Sequence, residues 1–117
     1  MPDQNCLFCR IVAGEIPADL IYRDETAVAF RDINPQAPVH VLVIPRAHVV
    51  SLSEAAEEGE PAALGRLMQA AARVAAQEGL REGGYRTVIN TGAGAGQSVF
   101  HLHVHVLGGR PLRWPPG

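Results

Sequence analysis

Between His101 and His105 the chain alternates histidine with aliphatic residues: His101-Leu102-His103-Val104-His105. A strand sends successive side chains to opposite faces. In a strand spanning His101 to Leu107, the three histidines therefore share one face, and Leu102 and Val104 lie on the other, toward a core. The histidine face then carries imidazoles about 6.5–7 Å apart along the strand. Imidazole titrates near neutrality, so it serves as nucleophile, general base or metal ligand at physiological pH. A plainer explanation is three histidines satisfied by neighbours on a half-exposed sheet. Against it, three of the chain's five histidines fall at period two, directly behind a glycine-rich loop.

That loop, Thr91-Gly92-Ala93-Gly94-Ala95-Gly96-Gln97-Ser98, has small residues that let backbone approach a ligand closely. Its amides and the Ser98 hydroxyl would form a concave anion site. Glycine-rich loops are weak evidence alone, but beside three histidines this one makes phosphate chemistry the leading idea. Gly96, Gln97 and Val99 are placed with it in the expected nucleotide shell. A fourth histidine, His40, interrupts the apolar β-branched run Val39 to Ile44, either as a site residue or as a hydrogen-bonded strand histidine. Asn90 and Asp32 could bind hydroxyls, and each is also a common turn residue.

The remaining pattern predicts an α+β domain on an antiparallel sheet, with one short and one long helix. A short helix is expected over Leu7 to Ala13, stopped by Gly14 and followed by Pro17. Strands are expected at Leu20 to Arg23 and Thr26 to Arg31, around the turn Asp24-Glu25. Asn34 to Pro38 is a loop bracketed by two prolines, and Val39 to Ile44 a central strand ended by Pro45. Pro61 suits a helix N-terminus. From there to about Leu80, Leu64, Leu67, Met68, Ala71, Val74 and Ala75 make one apolar stripe, read as core packing. Gly83-Gly84 breaks the chain, and Tyr85 to Asn90 is a further strand.

A length of 117 residues predicts one domain, 1–117. The net charge is −2, and the ten basic residues are all arginine and scattered. A nucleic-acid-binding surface needs clustered positive charge, so no nucleic-acid partner is expected; a single pocket for a small phosphate ligand is compatible with this balance. No apolar run reaches the ~18–20 residues of a membrane span. Met1 to Asn5 has no basic region followed by an apolar stretch. No membrane partner and a cytoplasmic location are the expectations. The two cysteines, Cys6 and Cys9, have a spacing that suits a metal or a redox pair, with two buried thiols as the alternative.

Taken together, the sequence resembles the histidine triad (HIT) family, in the branch of histidine triad nucleotide-binding proteins. Three segments carry the resemblance: Gln97 to Leu107 with the alternating histidines, Asp32 to His48, and the tail Leu107-Gly108-Gly109-Arg110-Pro111-Leu112-Arg113-Trp114-Pro115-Pro116-Gly117. It covers nearly the whole chain. The resemblance implies a homodimer whose two sheets join into one. It implies hydrolysis of purine nucleoside 5′-phosphoramidates or adenylates through a nucleotidyl-histidine intermediate. His103 would be the nucleophile, with its other ring nitrogen held by a backbone carbonyl. His105 and His40 would contact the phosphate, and Ser98 would assist the departing group. Asp32 would bind the ribose hydroxyls and Asn90 the sugar or phosphate region. Leu7, Phe8, Ile11, Phe30 and Ile33 would line the base pocket, or simply pack the core. The resemblance also completes a structural zinc site by adding His48 and His101 to Cys6 and Cys9, although some relatives lack these cysteines. No divalent metal is needed at the phosphate if enough donors converge there. Dinucleoside polyphosphate hydrolysis, or nucleotide-dependent regulation with incidental catalysis, are the other expectations.

Overall fold

The run richest in β-branched residues, Val39–Pro45, pairs with Val104–Gly108 in the interior of one antiparallel sheet. A computed structural model of the chain describes residues 5–117; most of the N-terminal segment read above for a leader lies outside the described residues. The strands are β1 (Leu20–Arg23), β2 (Ala27–Arg31), β3 (Val39–Pro45), β4 (Tyr85–Val88) and β5 (Val104–Gly108). Their spatial order is β1-β2-β3-β5-β4, and each neighbouring pair is antiparallel. Helices α1 (Leu7–Val12), α2 (Leu52–Glu58) and α3 (Pro61–Gln77) complete the expected α+β architecture. Among the described residues no helix is long and apolar enough to cross a membrane.

Register sorts the side chains into two layers. In the β3–β5 pair, Val41 faces Val106 and Val43 faces Val104, while Leu42 faces His105 and His40 faces Leu107. The valines are fully buried under Leu67, Ala70, Ala71, Val74 and Ala75 of α3. The opposite face carries Leu42, Ile44, Val28 and Phe30, capped by Cys6, Phe8, Cys9 and Ile11 from α1 and its N-cap. Each fully buried Val, Leu or Ile contributes about 1.5–3 kcal/mol relative to exposure, so both layers are strongly specified. The histidines lie on the α1-covered side, with His101 and His103 against Phe8.

The ends of the elements differ from expectation in instructive ways. The α3 stripe buries Ala70, whereas Met68 is 39% exposed at its shoulder. The helix stops at Gln77 rather than near Leu80 because Gly79, at φ +76°, turns the chain left-handed. Gly79 N–H then donates to Ala76 O and Leu80 N–H to Ala75 O, a Schellman cap closed by buried Leu80. Helix α2 is an addition to the expected elements. Its signal is Ser51-x-x-Glu54: the Ser51 hydroxyl accepts from Ser53 N–H and donates to the Glu54 carboxylate. The histidine strand begins at Val104, not His101, because β3 runs out at Pro45, and Leu102 N–H donates to Val49 O instead of to a ladder partner. Strand β4 likewise ends at Val88, two residues short of Asn90.

Candidate active site and metal centre

Cys6 is the N-cap of α1, its Sγ accepting from Cys9 N–H at 3.3 Å. The single turn between them brings both sulfurs to one side of the helix start. There Cys9 Sγ lies 3.1 Å from His48 Nδ1, and His101 Nδ1 lies 3.4 Å from each sulfur. All four donor atoms fall within 4.8 Å of one another. A tetrahedron with zinc–sulfur bonds of about 2.3 Å and zinc–nitrogen bonds of about 2.0 Å has S···N edges of about 3.5 Å. The four residues are therefore close enough, and of the right chemistry, to bind a metal. His101 adds a second argument. Its Nε2 is 2.9 Å from Pro45 O, which only accepts, so Nε2 carries the hydrogen and Nδ1 turns a lone pair toward the sulfurs. Burial holds His101 down to about 4, with the Pro45 bond opposing it and the neighbouring His48 and His103 adding to it. Burial also pushes the Cys6 thiol up, which a bound cation would reverse.

The same His101 orders the next residue of the triad. His103 Nδ1 is 2.8 Å from His101 O. Since a carbonyl cannot donate, Nδ1 bears the hydrogen, and in the neutral ring the lone pair is on Nε2. The ring is 5% exposed and wedged edge-on against Phe8, with centroids 5.1 Å apart. His105 follows on β5, its ring 5.1 Å from that of His103. His40, across the sheet on β3, places Nε2 at 2.9 Å from His105 Nδ1 and 3.4 Å from Asp32 Oδ2. Burial holds His40 below the usual histidine value against the pull of Asp32. Burial, then the neighbouring His103 and His40, holds His105 down to about 4. Both shifts favour the neutral ring, and so does the Gln36 N–H that points at His40 Nδ1 from 3.0 Å.

A cavity of about 450 Å³ opens beside this cluster, lined by Leu7, Phe8, Ile11, Phe30, Asp32 and Ile33 among others. The structure thus brings together all five residues expected around a base and the carboxylate expected at a ribose. Phe8 and Asp32 join the cavity to the histidines, the one through His103 and the other through His40. Ile33 is fully exposed at the lip, whereas Phe8, Ile11 and Phe30 also belong to the outer core layer.

The glycine loop is only partly what the sequence leads one to expect. Gln97 is buried, and its side chain is committed inside the chain: its carbonyl accepts from Gly92 N–H, and its amide donates to Val50 O and Val99 O. It braces the loop instead of offering that amide to a ligand. Gly96 lies at φ +95°, a conformation that favours glycine, and an added Cβ there would stand 4.0 Å from Asn90 Nδ2. Val99 packs on the outer core. Ser98 is exposed in a second cavity with Cys6, His48 and Leu7, and Leu7 lines both cavities. Sequence reasoning passes over the Pro45 carbonyl and the Gln36 amide, which donates to His40 Nδ1 at 3.0 Å. Backbone groups leave no residue-type signal.

The HIT domain family model matches residues 13–112. The chain belongs to the HIT family. It is 55% identical over 114 residues to an uncharacterized HIT-like protein of Synechococcus elongatus, covering 97% of this chain and 98% of that one. It is 47% identical over 109 residues to the purine nucleoside phosphoramidase of Escherichia coli, covering 93% and 91% of the two chains. Among solved structures, a HIT family hydrolase from Legionella pneumophila superposes with a TM-score of 0.92 at 47% identity, covering 97% of this chain and all of that one. A histidine triad protein from Clostridium difficile gives 0.91 at 37% identity, covering 97% of each chain.

Proposed function

We propose that this protein hydrolyses purine nucleoside 5′-phosphoramidates or adenylates at the α-phosphate, through a nucleotidyl-His103 intermediate. The observation that carries the reading is the His103 tautomer. With Nδ1–H held by His101 O at 2.8 Å, the neutral ring has its lone pair on Nε2, and the ring packs on Phe8, which lines a nucleoside-sized cavity. The Escherichia coli relative named purine nucleoside phosphoramidase, at 47% identity, supports the substrate class.

In the first step Nε2 attacks the α-phosphorus; the P–Nε2 bond forms as the bond to the leaving amine or acyl oxygen breaks. Ser98 assists that group as it departs. His105 and His40 stabilise charge on the phosphoryl oxygens, with backbone amides of the loop around Gly96. Water then attacks phosphorus, the P–Nε2 bond breaks, and the nucleoside monophosphate leaves. Asp32 holds the ribose hydroxyls, Asn90 the sugar or phosphate region, and the cavity from Leu7 to Ile33 takes the purine. Zinc on Cys6, Cys9, His48 and His101 would cross-link α1 to the segments before α2 and β5.

We further propose that 1–117 acts as one domain, cytoplasmic and homodimeric. Among the described residues strand β4 pairs only with β5, leaving its other edge for a second copy, and Tyr85 on that strand and Trp114 in the tail are exposed. Sedimentation equilibrium at micromolar concentration should find dimer; monomer alone removes this part.

The deciding experiment is a turnover screen with adenosine and guanosine phosphoramidates, acyl-adenylates and diadenosine polyphosphates. Turnover of the first two classes supports the proposal. Preference for polyphosphates replaces it with a polyphosphate hydrolase, and tight binding without turnover leaves a nucleotide-binding regulator.

A further inference from the structure

We infer that Arg110 is a positioning residue for the triad: acting through the Gln36 loop and His40, it fixes which nitrogen of His105 carries the hydrogen. The inference rests on the proposed attack by His103 for its consequence in turnover, but not for its geometry.

The chain of hydrogen bonds has only one consistent set of protons. Gln36 N–H donates to His40 Nδ1 at 3.0 Å. An amide nitrogen cannot accept, so Nδ1 offers its lone pair, and neutral His40 carries its hydrogen on Nε2. That Nε2 is 2.9 Å from His105 Nδ1, and farther, 3.4 Å, from Asp32 Oδ2. His105 Nδ1 therefore accepts, and the His105 hydrogen lies on Nε2. His103 is the opposite tautomer, since its Nδ1–H is bound to His101 O. Two histidines at period two on one segment thus present different Nε2 atoms, one a lone pair and the other an N–H donor. A nucleophile and a hydrogen-bond donor to phosphoryl oxygen are the pair that the proposed attack requires.

Arg110 holds the first link. Just beyond β5 it turns back to the loop before β3, and its Nε and Nη2 both donate to Gln36 O, at 3.1 and 3.0 Å. Gly109 lets the two segments approach: at φ +90° it lies so near Pro38 that an added Cβ would stand 2.9 Å from the proline Cβ. Asp32 Oδ1 accepts from Asn34 N–H at 2.8 Å and fixes the other end of the loop. The same proton order argues against a metal on Asp32, His40 and His105, although their donor atoms lie within 4.8 Å. A metal on His40 Nε2, with Nδ1 still accepting from Gln36, would demand a fully deprotonated ring.

The test is ring-nitrogen NMR on full-length, nucleotide-free protein labelled with 15N-histidine at neutral pH. The expected spectrum has His40 and His105 as Nε2–H and His103 as Nδ1–H. Arg110→Ala should shift His40 and His105 toward mixed tautomers and leave His103 unmoved, since its partner is a different carbonyl. Turnover should fall roughly 10- to 100-fold, as expected for a displaced reacting group, while nucleoside monophosphate Kd changes less than about 2-fold. Arg110→Lys should recover part of the rate. Gln36→Pro deletes the amide hydrogen itself and should give the same spectral change. His105 found as Nδ1–H in the unmodified protein, or unmoved in Arg110→Ala, overturns the inference. The expected spectra in a protein that hydrolyses no nucleotide would support the relay and defeat the proposed reaction instead.

Discussion

His101 holds His103 through its backbone and faces the two cysteines through its side chain: its carbonyl accepts from His103 Nδ1 at 2.8 Å, while its own Nδ1 lies 3.4 Å from Cys6 and Cys9. One residue therefore ties the candidate metal centre to the proposed nucleophile. Zinc there would restrain the backbone that orients His103 without touching its Nε2.

Protein purified without chelator or added metal should accordingly contain close to one zinc per chain by elemental analysis. Replacing Cys6 and Cys9 together by Ser should abolish that zinc and lower Tm markedly. Turnover should fall less steeply, by about 10-fold or less, the scale of lost outer-shell support. A metal-free protein whose Tm is unchanged in the double variant would remove the zinc site.

Acid should destabilise the protein earlier than carboxylate titration alone. His40 is buried and His105 half-buried, desolvation holds both below the usual histidine value, and His105 is held down to about 4 from 6.5. In the unfolded chain both take up protons near 6.5, so below about pH 6.5 the unfolded state binds more protons and stability is lost as the pH falls toward 4. Asp24 acts lower. Burial pushes it up, but hydrogen bonds from Thr26, Tyr22 and Ala27 outweigh this and hold it at about 2, so its contribution is lost only below the usual 3.8. Urea midpoints should therefore decline from pH 6.5 downward, and His105→Asn should flatten that limb. A midpoint constant from pH 7 to 4.5 contradicts the burial of neutral rings.

Two glycines of the α3 region should respond oppositely to alanine. Gly79 sits at φ +76° in the Schellman cap, where a Cβ meets open space but the backbone conformation itself is strained, so Gly79→Ala should cost about 1–2 kcal/mol. Gly65 lies inside α3, exposed, with open space where a methyl group would stand, so Gly65→Ala should stabilise by about 0.5–1 kcal/mol. Denaturant unfolding of both variants reads the difference; the same sign for both would be wrong for this helix.

Legibility in the sequence followed the physics of each feature. Period-two alternation and β-branching made β3 and β5 readable, because both depend on side chains alone. The cavity was readable for a similar reason: Phe8, Ile11 and Phe30 are apolar positions that serve the core and the cavity at once. Element ends were less so. The early stop of the histidine ladder depends on Pro45, and the bond from Leu102 N–H to Val49 O is a long-range backbone contact. Met68 fits a helical stripe, yet the sheet beneath α3 is covered by Ala70, off the expected line. Gln97 looks like a ligand contact because it stands in a glycine loop; only the fold reveals that Gly92, Val50 and Val99 engage its amide group. The Ser51–Glu54 capping box, by contrast, is present in the sequence and marks a helix too short to show periodicity.

Four histidines stand near the proposed phosphate site, and their partners decide which can take the covalent step. His101 has Nε2 on Pro45 O and Nδ1 facing sulfur, so it has no free nitrogen for attack. His40 is bonded at both nitrogens, to Gln36 N–H and to His105. His105 has one nitrogen on His40 and, by the proton order above, a hydrogen on the other. His103 alone combines a carbonyl-held Nδ1–H with an Nε2 lone pair. His103→Ala should therefore reduce turnover by about 1,000-fold or more, with nucleoside monophosphate still bound, because removing a nucleophile leaves only direct attack by water. His40→Ala and Ser98→Ala should lose less. Rapid quenching of the unmodified enzyme with substrate labelled at the α-phosphate, followed by peptide mapping, should place the label on His103. Label on His105 would transfer the role there, and near-normal turnover in His103→Ala would end the mechanism.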